Sequence, residues 1–188
     1  MQGICHLRRV SAALEFLREM LGSGVVPDLL TYSILVDGLF KSGKLKVALK
    51  VFQAKRNSWL ELDIISYKIL MDGVCKAGHI KFAKRIFNEL SVNSLKPNVY
   101  TYDILINGLC KEGLPDEAYQ LLRSMGDNDC LPNSISYNVM IQGIFRNNST
   151  SKATQLLVEM VGKGFSANLW TAIVYVDLLL RPDKSILV

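Results

Sequence analysis

The chain has 188 residues, of which 49% are apolar, and carries a formal net charge of +5 with a pI of about 9.0. This composition suits one domain with a large core, and the mild basic excess favours a polyanionic partner only if the charge is localised. The most apolar run, 169–180, is too short to span a bilayer and contains Asp177, and the start MQGICHLRRV lacks the apolar segment of a signal peptide.

A repeat of 35 residues organises the chain. Residues 1–28 fit the later part of one repeat, because MQGICH aligns with MDGVCK at 71–76 and INGLCK at 106–111. Complete repeats follow at 29–63, 64–98, 99–133 and 134–168, and residues 169–188 form a partial repeat and tail. The slots that hold the register are Pro27/Leu62/Pro97/Pro132/Ala167, Asp28/Asp63/Asn98/Asn133/Asn168, Thr31/Ser66/Thr101/Ser136/Thr171, Tyr32/Tyr67/Tyr102/Tyr137/Ala172, Gly38/Gly73/Gly108/Gly143 and Ala48/Ala83/Ala118/Ala153.

Each repeat predicts two helices, as the third one illustrates. Apolar residues recur at helical spacing in a first helix that ends near Gly113, and again in a second helix that begins at Pro115. The Thr or Ser before each tyrosine is the expected N-cap, and in the fourth repeat Asn147-Asn148-Ser149 replaces the glycine turn. The glycine and alanine slots are expected to let helices pack closely.

A single helical hairpin cannot bury its apolar faces, so neighbouring repeats must stack. The sequence therefore predicts an all-α fold, a right-handed superhelical α-solenoid of stacked 35-residue helix-turn-helix repeats. The incomplete repeats at both ends are expected to leave apolar surface uncovered. This favours a fragment of a longer array, or an array that needs a cap or partner.

The stretches TYSILVDGLFKSG (31–43), SYKILMDGVCKAG (66–78) and TYDILINGLCKEG (101–113) share unlike residues in one register. This motif resembles the pentatricopeptide repeat, in its P-type form with constant repeat length. Its residues are similar to those of the fertility-restorer-like branch of plants. The resemblance implies sequence-selective binding of single-stranded RNA, one base per repeat. It also implies a role in organellar transcript processing, stability or translation, with RNA-processing proteins as further partners. The mitochondrion is the expected compartment and the chloroplast the alternative.

A ladder of cations is the physical feature that favours RNA. One slot holds Lys41, Lys76, Lys111 and Arg146, with His6 preceding them in register. Equal spacing along a solenoid would place these charges in a row that suits a phosphate backbone. The alternative is that a cation at the end of a helix is simply favoured by the helix dipole and is copied with each repeat.

The resemblance also assigns base recognition to the fifth residue of a repeat together with its last residue. The pairs are Ser33 with Asp63, Lys68 with Asn98, Asp103 with Asn133, and Asn138 with Asn168. Ser/Asp resembles guanine-preferring pairs and Asn/Asn resembles pyrimidine-preferring pairs, whereas Lys68 and Asp103 fit neither and suggest spacer repeats. The expected site is 5′-G-N-N-(C/U)-3′ if RNA runs parallel to the repeats. Ordinary turn and cap residues would explain the same Asn and Asp slots.

The second residue of each repeat is expected to flank the base, again by resemblance. This slot holds Leu30, Ile65, Tyr100, Ile135 and Trp170. Tyr100 and Trp170 could stack on bases, and plain packing is an equal alternative for Trp170.

No catalytic or cofactor chemistry is expected. Cys5, Cys75 and Cys110 share a slot with Phe40 and Phe145, which indicates packing rather than metal binding. The chain has no HxE with CxxC pair of a deaminase, no phosphate-binding GxxxxGK[ST] loop and no GxSxG motif. The alternatives to RNA binding are a protein-interaction solenoid, such as the tetratricopeptide repeat with its 34-residue period, and a truncated relative without independent activity.

Overall fold

The computed structural model describes residues 10–25, 27–56 and 63–180. These residues form ten α-helices and one 3₁₀ turn, with no strand among them. Contacts divide the chain into two compact units, Met1–Pro97 and Asn98–Val188. The predicted all-helical fold is confirmed. The expectations for Cys5, His6, Leu62 and the tail after residue 180 concern positions outside the described residues.

The first unit contains one helix and two helical hairpins. Helix α1 spans Val10–Gly22, α2 spans Leu29–Lys41, α3 spans Leu45–Arg56, α4 spans Ile64–Lys76 and α5 spans Ile80–Val92. Helix α2 packs against its hairpin partner α3, against α1, and against α4, the first helix of the next hairpin. The hydrophobic core of the first unit joins α1 to α2 and α3 through Ala13, Leu17, Leu35, Leu39 and Ala48.

The second unit repeats this plan. Helix α6 spans Val99–Lys111, α7 spans Pro115–Ser124, α8 spans Ser134–Arg146, α9 spans Thr150–Gly162 and α10 spans Leu169–Leu180, with a 3₁₀ turn at Gly126–Asn128. Helix α8 packs against α6, α9 and α10, so first helices again lie beside first helices. Pro115 is the first residue of α7, as its missing N–H allows.

The first helix of every complete repeat ends in the same hydrogen-bonded turn. The N–H groups of Lys44, His79, Leu114 and Ser149 donate to carbonyls five residues earlier, at N···O distances of 2.9–3.3 Å. One residue of each turn must be left-handed. Glycine takes that place in three repeats, with φ of 71–77°, and Asn148 takes it in the fourth with φ of 58°. The Asn-Asn-Ser sequence at 147–149 therefore forms the same turn as the glycine-containing sequences of the other three repeats.

The expected N-caps were wrong by three residues. The caps are Asp28, Asp63, Asn98 and Asn133, whose side chains accept from the N–H three residues later. The Thr or Ser at that later position is helical, and Thr101 completes a capping box by accepting from the N–H of Asn98 at 2.9 Å. Asn168 makes the equivalent bond to the N–H of Thr171 at 2.9 Å. Last residues of repeats are therefore structural caps.

Close helix packing at the glycine slot is confirmed in both units. A Cβ on Gly73 would lie 2.3 Å from the ring of Phe40, and a Cβ on Gly143 would lie 2.2 Å from the Sγ of Cys110. Only glycine lets the preceding first helix approach this far. Cys75 and Cys110 are both buried, as the packing interpretation of their slot predicts.

Candidate nucleic-acid interface

The four cations of the predicted ladder are the last residues of the first helices α2, α4, α6 and α8, and all four are exposed. This position favours a positive charge, because the free carbonyls at a helix C-terminus carry a partial negative charge. Each compact unit thus presents two cations at equivalent places, Lys41 and Lys76 in the first unit, Lys111 and Arg146 in the second.

The two cations of the first unit are neutralised within their own helices. Lys41 donates to the Oδ2 of Asp37 at 2.6 Å, and Lys76 donates to the Oδ2 of Asp72. The hydrogen bond to Asp37 is the main cause that raises the pKa of Lys41, and the charge of Asp72 adds to it. Asp72 therefore acts on both lysines.

The same slots are uncharged in the second unit. Asn107 and Gln142 stand four residues before Lys111 and Arg146. The guanidinium of Arg146 instead lies over the ring of Trp170, 5.7 Å from its centroid. The ring of Phe145 is nearly perpendicular to the Trp170 ring, at an interplanar angle of 82° and with the ring centroids 6.1 Å apart. Trp170 remains 39% exposed, so part of its side chain packs against the protein and part faces solvent.

The fifth residues of the repeats lie on the first helices. Ser33, Asp103 and Asn138 are buried, and Lys68 is half-buried. In the first unit the hydroxyls of Ser33 and Ser66 are 3.5 Å apart. In the second unit the Oδ1 of Asn138 accepts from the backbone N–H of Asn168 at 3.0 Å, which brings one predicted pair into direct contact. Lys68 and Asn98 belong to different units.

Asp103 is the least satisfied of these residues. It is 7% exposed, and neither carboxylate oxygen has a hydrogen-bond partner among the described residues. Burial raises the pKa of this carboxyl to about 6, and the nearby Ser136 hydroxyl offsets part of the effect. No sequence pattern marks this burial, because the same slot holds a lysine one repeat earlier.

The predicted base-flanking residues are large apolar side chains left in solvent at the starts of the first helices. Leu30 is 66% exposed, Ile65 54%, Tyr100 59% and Ile135 50%. Core packing does not account for apolar groups at this level of exposure. These four side chains are therefore not part of the core of either unit.

A second polar cluster, between the second helices α7 and α9, was not foreseen. Arg123 forms a bidentate pair with Glu159, with Nη1 and Oε1 2.7 Å apart, and the Lys152 Nζ lies 2.7 Å from the Asp116 Oδ1. Both pairs link residues 36 apart, one more than the repeat period, so oppositely charged residues at this separation were the sequence signal for the cluster. The two ion pairs line a cleft of about 340 Å³, together with the apolar side chains of Ile144 and Leu156.

The same cluster extends into the core of the unit. Tyr137 donates to Glu159 at 2.8 Å, and burial together with this bond raises the pKa of Tyr137 to about 12. The hydrogen bond from Arg123 is the main cause that lowers the pKa of Glu159. The cluster therefore ties α7, α8 and α9 together.

A family model described as the PPR repeat family matches residues 1–41, 62–111, 103–146 and 132–179, and a PPR repeat model matches 30–56. The chain belongs to the PPR repeat family. A mitochondrial pentatricopeptide repeat-containing protein of Arabidopsis thaliana is 42% identical over 43 residues, which is 23% of this chain and 8% of that protein. The chain thus corresponds to a small part of this relative.

Solved PPR structures match nearly the whole chain. The crystal structure of maize PPR10 superposes with a TM-score of 0.81 and 28% identity, over 93% of this chain and 25% of PPR10. PPR10 in complex with an 18-nt psaJ RNA element gives a TM-score of 0.82. The PPR domain of Arabidopsis PRORP1 in complex with tRNA gives 0.75 at 13% identity, covering 95% of this chain and 94% of that domain. At that identity the PRORP1 match concerns the fold alone.

The expected solenoid class is confirmed by these PPR structures. The P-type and fertility-restorer assignments stay predictions, and so do the roles of the individual site residues. In the described part of the chain, no helix combines the length and apolar character needed to cross a membrane.

Proposed function

We propose that this chain binds single-stranded RNA along its first helices, with the fifth and last residues of each repeat selecting the base. The observation that carries the proposal is that three features share these helices. They are exposed cations at the C-terminal ends, exposed apolar residues at the N-terminal ends, and a polar pair near the starts. Phosphates, base faces and base edges need these three kinds of contact. The PPR10 complex with RNA supports the same assignment.

The capping geometry gives the last residue a defined hydrogen-bonding character. A helix N-cap must offer an oxygen to the free N–H groups, which fixes the orientation of the side chain. The Oδ1 of Asp63 accepts from the N–H and hydroxyl of Ser66, at 2.9 and 2.8 Å, and leaves Oδ2 as an acceptor. The Oδ1 of Asn133 accepts from the N–H of Ile135 and Ser136 and leaves amide hydrogens as donors. A capping Asp therefore suits base donors, and a capping Asn suits base acceptors.

This logic supports two of the base preferences. Ser33 with Asp63 keeps a free carboxylate oxygen, which suits the N–H donors of guanine. The side-chain oxygens of Asn138 and Asn168 accept from backbone N–H groups, at 3.0 and 2.9 Å. The Nδ2 of Asn138 also donates to the Ser134 carbonyl at 2.6 Å, so Asn138 keeps one amide hydrogen and Asn168 keeps two as donors for the carbonyl oxygens of a pyrimidine. We propose guanine at the first complete repeat and cytosine or uracil at the fourth.

Transcript processing, stability or translation in an organelle is the proposed role, with the mitochondrion as compartment. The similarity to the mitochondrial Arabidopsis relative supports this compartment, although it covers only a short stretch of the chain. The proposed P-type, fertility-restorer-like character rests on the constant 35-residue period and on the residues of the repeated motif.

The test is binding of the 188-residue chain to pooled short single-stranded RNAs at about 50 mM and about 200 mM salt. Double-stranded RNA and single-stranded DNA serve as competitors. The proposal expects salt-sensitive binding that prefers single-stranded RNA and weakens in Lys111→Ala. Lys152→Ala, a matched change on a second helix, should bind normally. A folded, helical sample that retains no RNA at micromolar concentration would reject the proposal and favour a protein-interaction scaffold.

A further inference from the structure

The basic excess of the chain lies in the first compact unit. Met1–Pro97 contains fifteen Lys or Arg against eight Asp or Glu, a net charge of +7, whereas Asn98–Val188 contains seven against nine, a net charge of −2. The first helices α2 and α4 together hold three cations and two carboxylates. The second helices α3 and α5 hold one acidic residue, Glu89, and seven cations, which are Lys46, Lys50, Lys55, Arg56, Lys81, Lys84 and Arg85. Most of the positive charge therefore lies away from the helices that carry the predicted base-reading residues.

Four of these cations occupy two positions of the repeat. Lys46 and Lys81 are 35 residues apart, and so are Lys50 and Arg85. All four are exposed, and none forms an ion pair with a carboxylate of the described residues. On each helix the two cations are one turn apart and therefore share a face. The two hairpins that carry them pack together through α2 and α4, so the pattern repeats across neighbouring hairpins of one unit.

Helix stability does not account for these cations. Lys46 and Lys81 lie in the first turns of α3 and α5, where the helix dipole disfavours a positive charge, and neither first turn contains an acidic residue. Like charges one turn apart on a helix also repel each other. In the second unit the same position holds Asp116 in the first turn of α7, which the dipole favours. An anion bound from outside would offset the repulsion in the first unit.

We propose that Lys46, Lys50, Lys81 and Arg85 bind the phosphodiester backbone of RNA that flanks the stretch read by the first helices. This inference rests on the proposed RNA binding and adds a second, sequence-independent site on the other helix of each hairpin. Four complete repeats read about four bases, so contacts with flanking phosphates supply affinity that base reading does not. Arg85 lies over the ring of Phe82, 5.8 Å from its centroid, and its planar guanidinium suits bidentate contact with phosphate.

A surface of anionic lipid fits these helices less well than RNA does. Helices that bind a bilayer surface insert an apolar face between the lipid headgroups. The apolar faces of α3 and α5 are instead used in the core, where Ala48, Phe52, Ala83, Ile86 and Leu90 are buried. What remains for a ligand at the four cations is charge and hydrogen-bond donors, which match a phosphate backbone.

The test is fluorescence anisotropy of the full chain with two labelled single-stranded RNAs over a salt series. One RNA is the preferred sequence in about six nucleotides, and the other embeds it in oligoadenylate flanks to about thirty nucleotides. The original chain should bind the longer RNA about tenfold more tightly at low salt. Lys46→Gln with Lys81→Gln should lose most of this gain, and so should Lys50→Gln with Arg85→Gln. Each should flatten the salt slope for the longer RNA by about 1.4, the value for two lost phosphate contacts, and leave the affinity for the shorter RNA within about twofold.

Lys152→Gln with Lys163→Gln is the matched control, because it removes two exposed cations from the second unit. This control should keep the full dependence of affinity on RNA length. The variant of Lys46 and Lys81 should also keep the thermal midpoint of the original chain, since its cations are unfavourable where they stand. A lower midpoint would show that these lysines serve the fold.

Three results would overturn the inference while RNA binding by the first helices stands. They are equal losses for the shorter and the longer RNA, an equal loss in the control variant, and no loss in either variant of the first unit. Binding of poly-glutamate that these variants abolish, with RNA affinity unchanged, would also overturn it and would assign the surface to an acidic protein. Failure of the original chain to bind the shorter RNA, with binding of the longer RNA that depends on the four cations, would instead reject base reading and leave the second site standing.

Discussion

Replacing Asp103 by Asn should stabilise the protein at neutral pH and have no effect in acid. The carboxyl is buried, and neither oxygen has a hydrogen-bond partner among the described residues. Ionising it in the folded state therefore costs free energy that the unfolded chain does not spend. Asparagine keeps the shape of the side chain and removes the charge.

The magnitude follows from the pKa of Asp103. Burial raises this pKa from 3.8 to about 6, so the folded protein holds the proton more tightly than the unfolded chain. Stability is then highest below about pH 4 and falls as pH rises to about 6, above which the loss is complete. The difference between the two pKa values corresponds to at most about 3 kcal/mol, because water near the exposed edge of the side chain screens the charge.

Urea denaturation followed by circular dichroism measures the effect. The gain of Asp103→Asn over the original chain should approach this limit at about pH 7.5, fall to about 0.5 kcal/mol at about pH 4 and vanish near pH 3. Asp127→Asn, which removes an exposed carboxylate from the 3₁₀ turn, controls for net charge. An equal gain at both pH values, or none at pH 7.5, would refute the argument from burial.

Gly143→Ala should lower the free energy of unfolding by about 1–3 kcal/mol because its Cβ would overlap Cys110, whereas Gly162→Ala, with nothing within 4 Å, should be neutral or stabilising by urea titration. Asn148→Gly should raise the thermal midpoint slightly, with a gain below about 1 kcal/mol, since φ of 58° favours glycine while asparagine tolerates it better than other residues with side chains; a lower midpoint would contradict this. Asp63→Asn keeps the cap but replaces its free acceptor by donors, so RNA selection should lose guanine at the first repeat while the urea midpoint is unchanged.

The fold was predictable because one register fixed it. Unlike residues at constant spacing required identical hairpins, and the glycine turn ended each first helix where the sequence placed it. The start of each helix was harder. Asp or Asn and Thr or Ser both satisfy free N–H groups, and in a capping box both take part, so composition alone did not separate Asn98 from Thr101.

The site was predictable only as a set of slots. Periodicity located the cations, yet it treated all four as equal, since pairing with Asp37 depends on a side-chain geometry that the repeat does not fix. Asp103 was interpreted as a spacer because a carboxylate repels phosphate. Its burial without a partner depends on the packing of neighbouring helices, which no single slot encodes.

The contact between a first helix and the glycine of the next has a consequence for how such genes change. Gly73 accommodates Phe40 and Gly143 accommodates Cys110, so one glycine tolerates two very different partners. Recombination that inserts or deletes a whole 35-residue unit keeps the glycine slot in register with the slot that holds Phe40 and Cys110. The array can therefore lengthen or shorten in a single genetic event without any new interface having to evolve. Under the proposed function, the RNA target would grow or shrink by whole nucleotides with it.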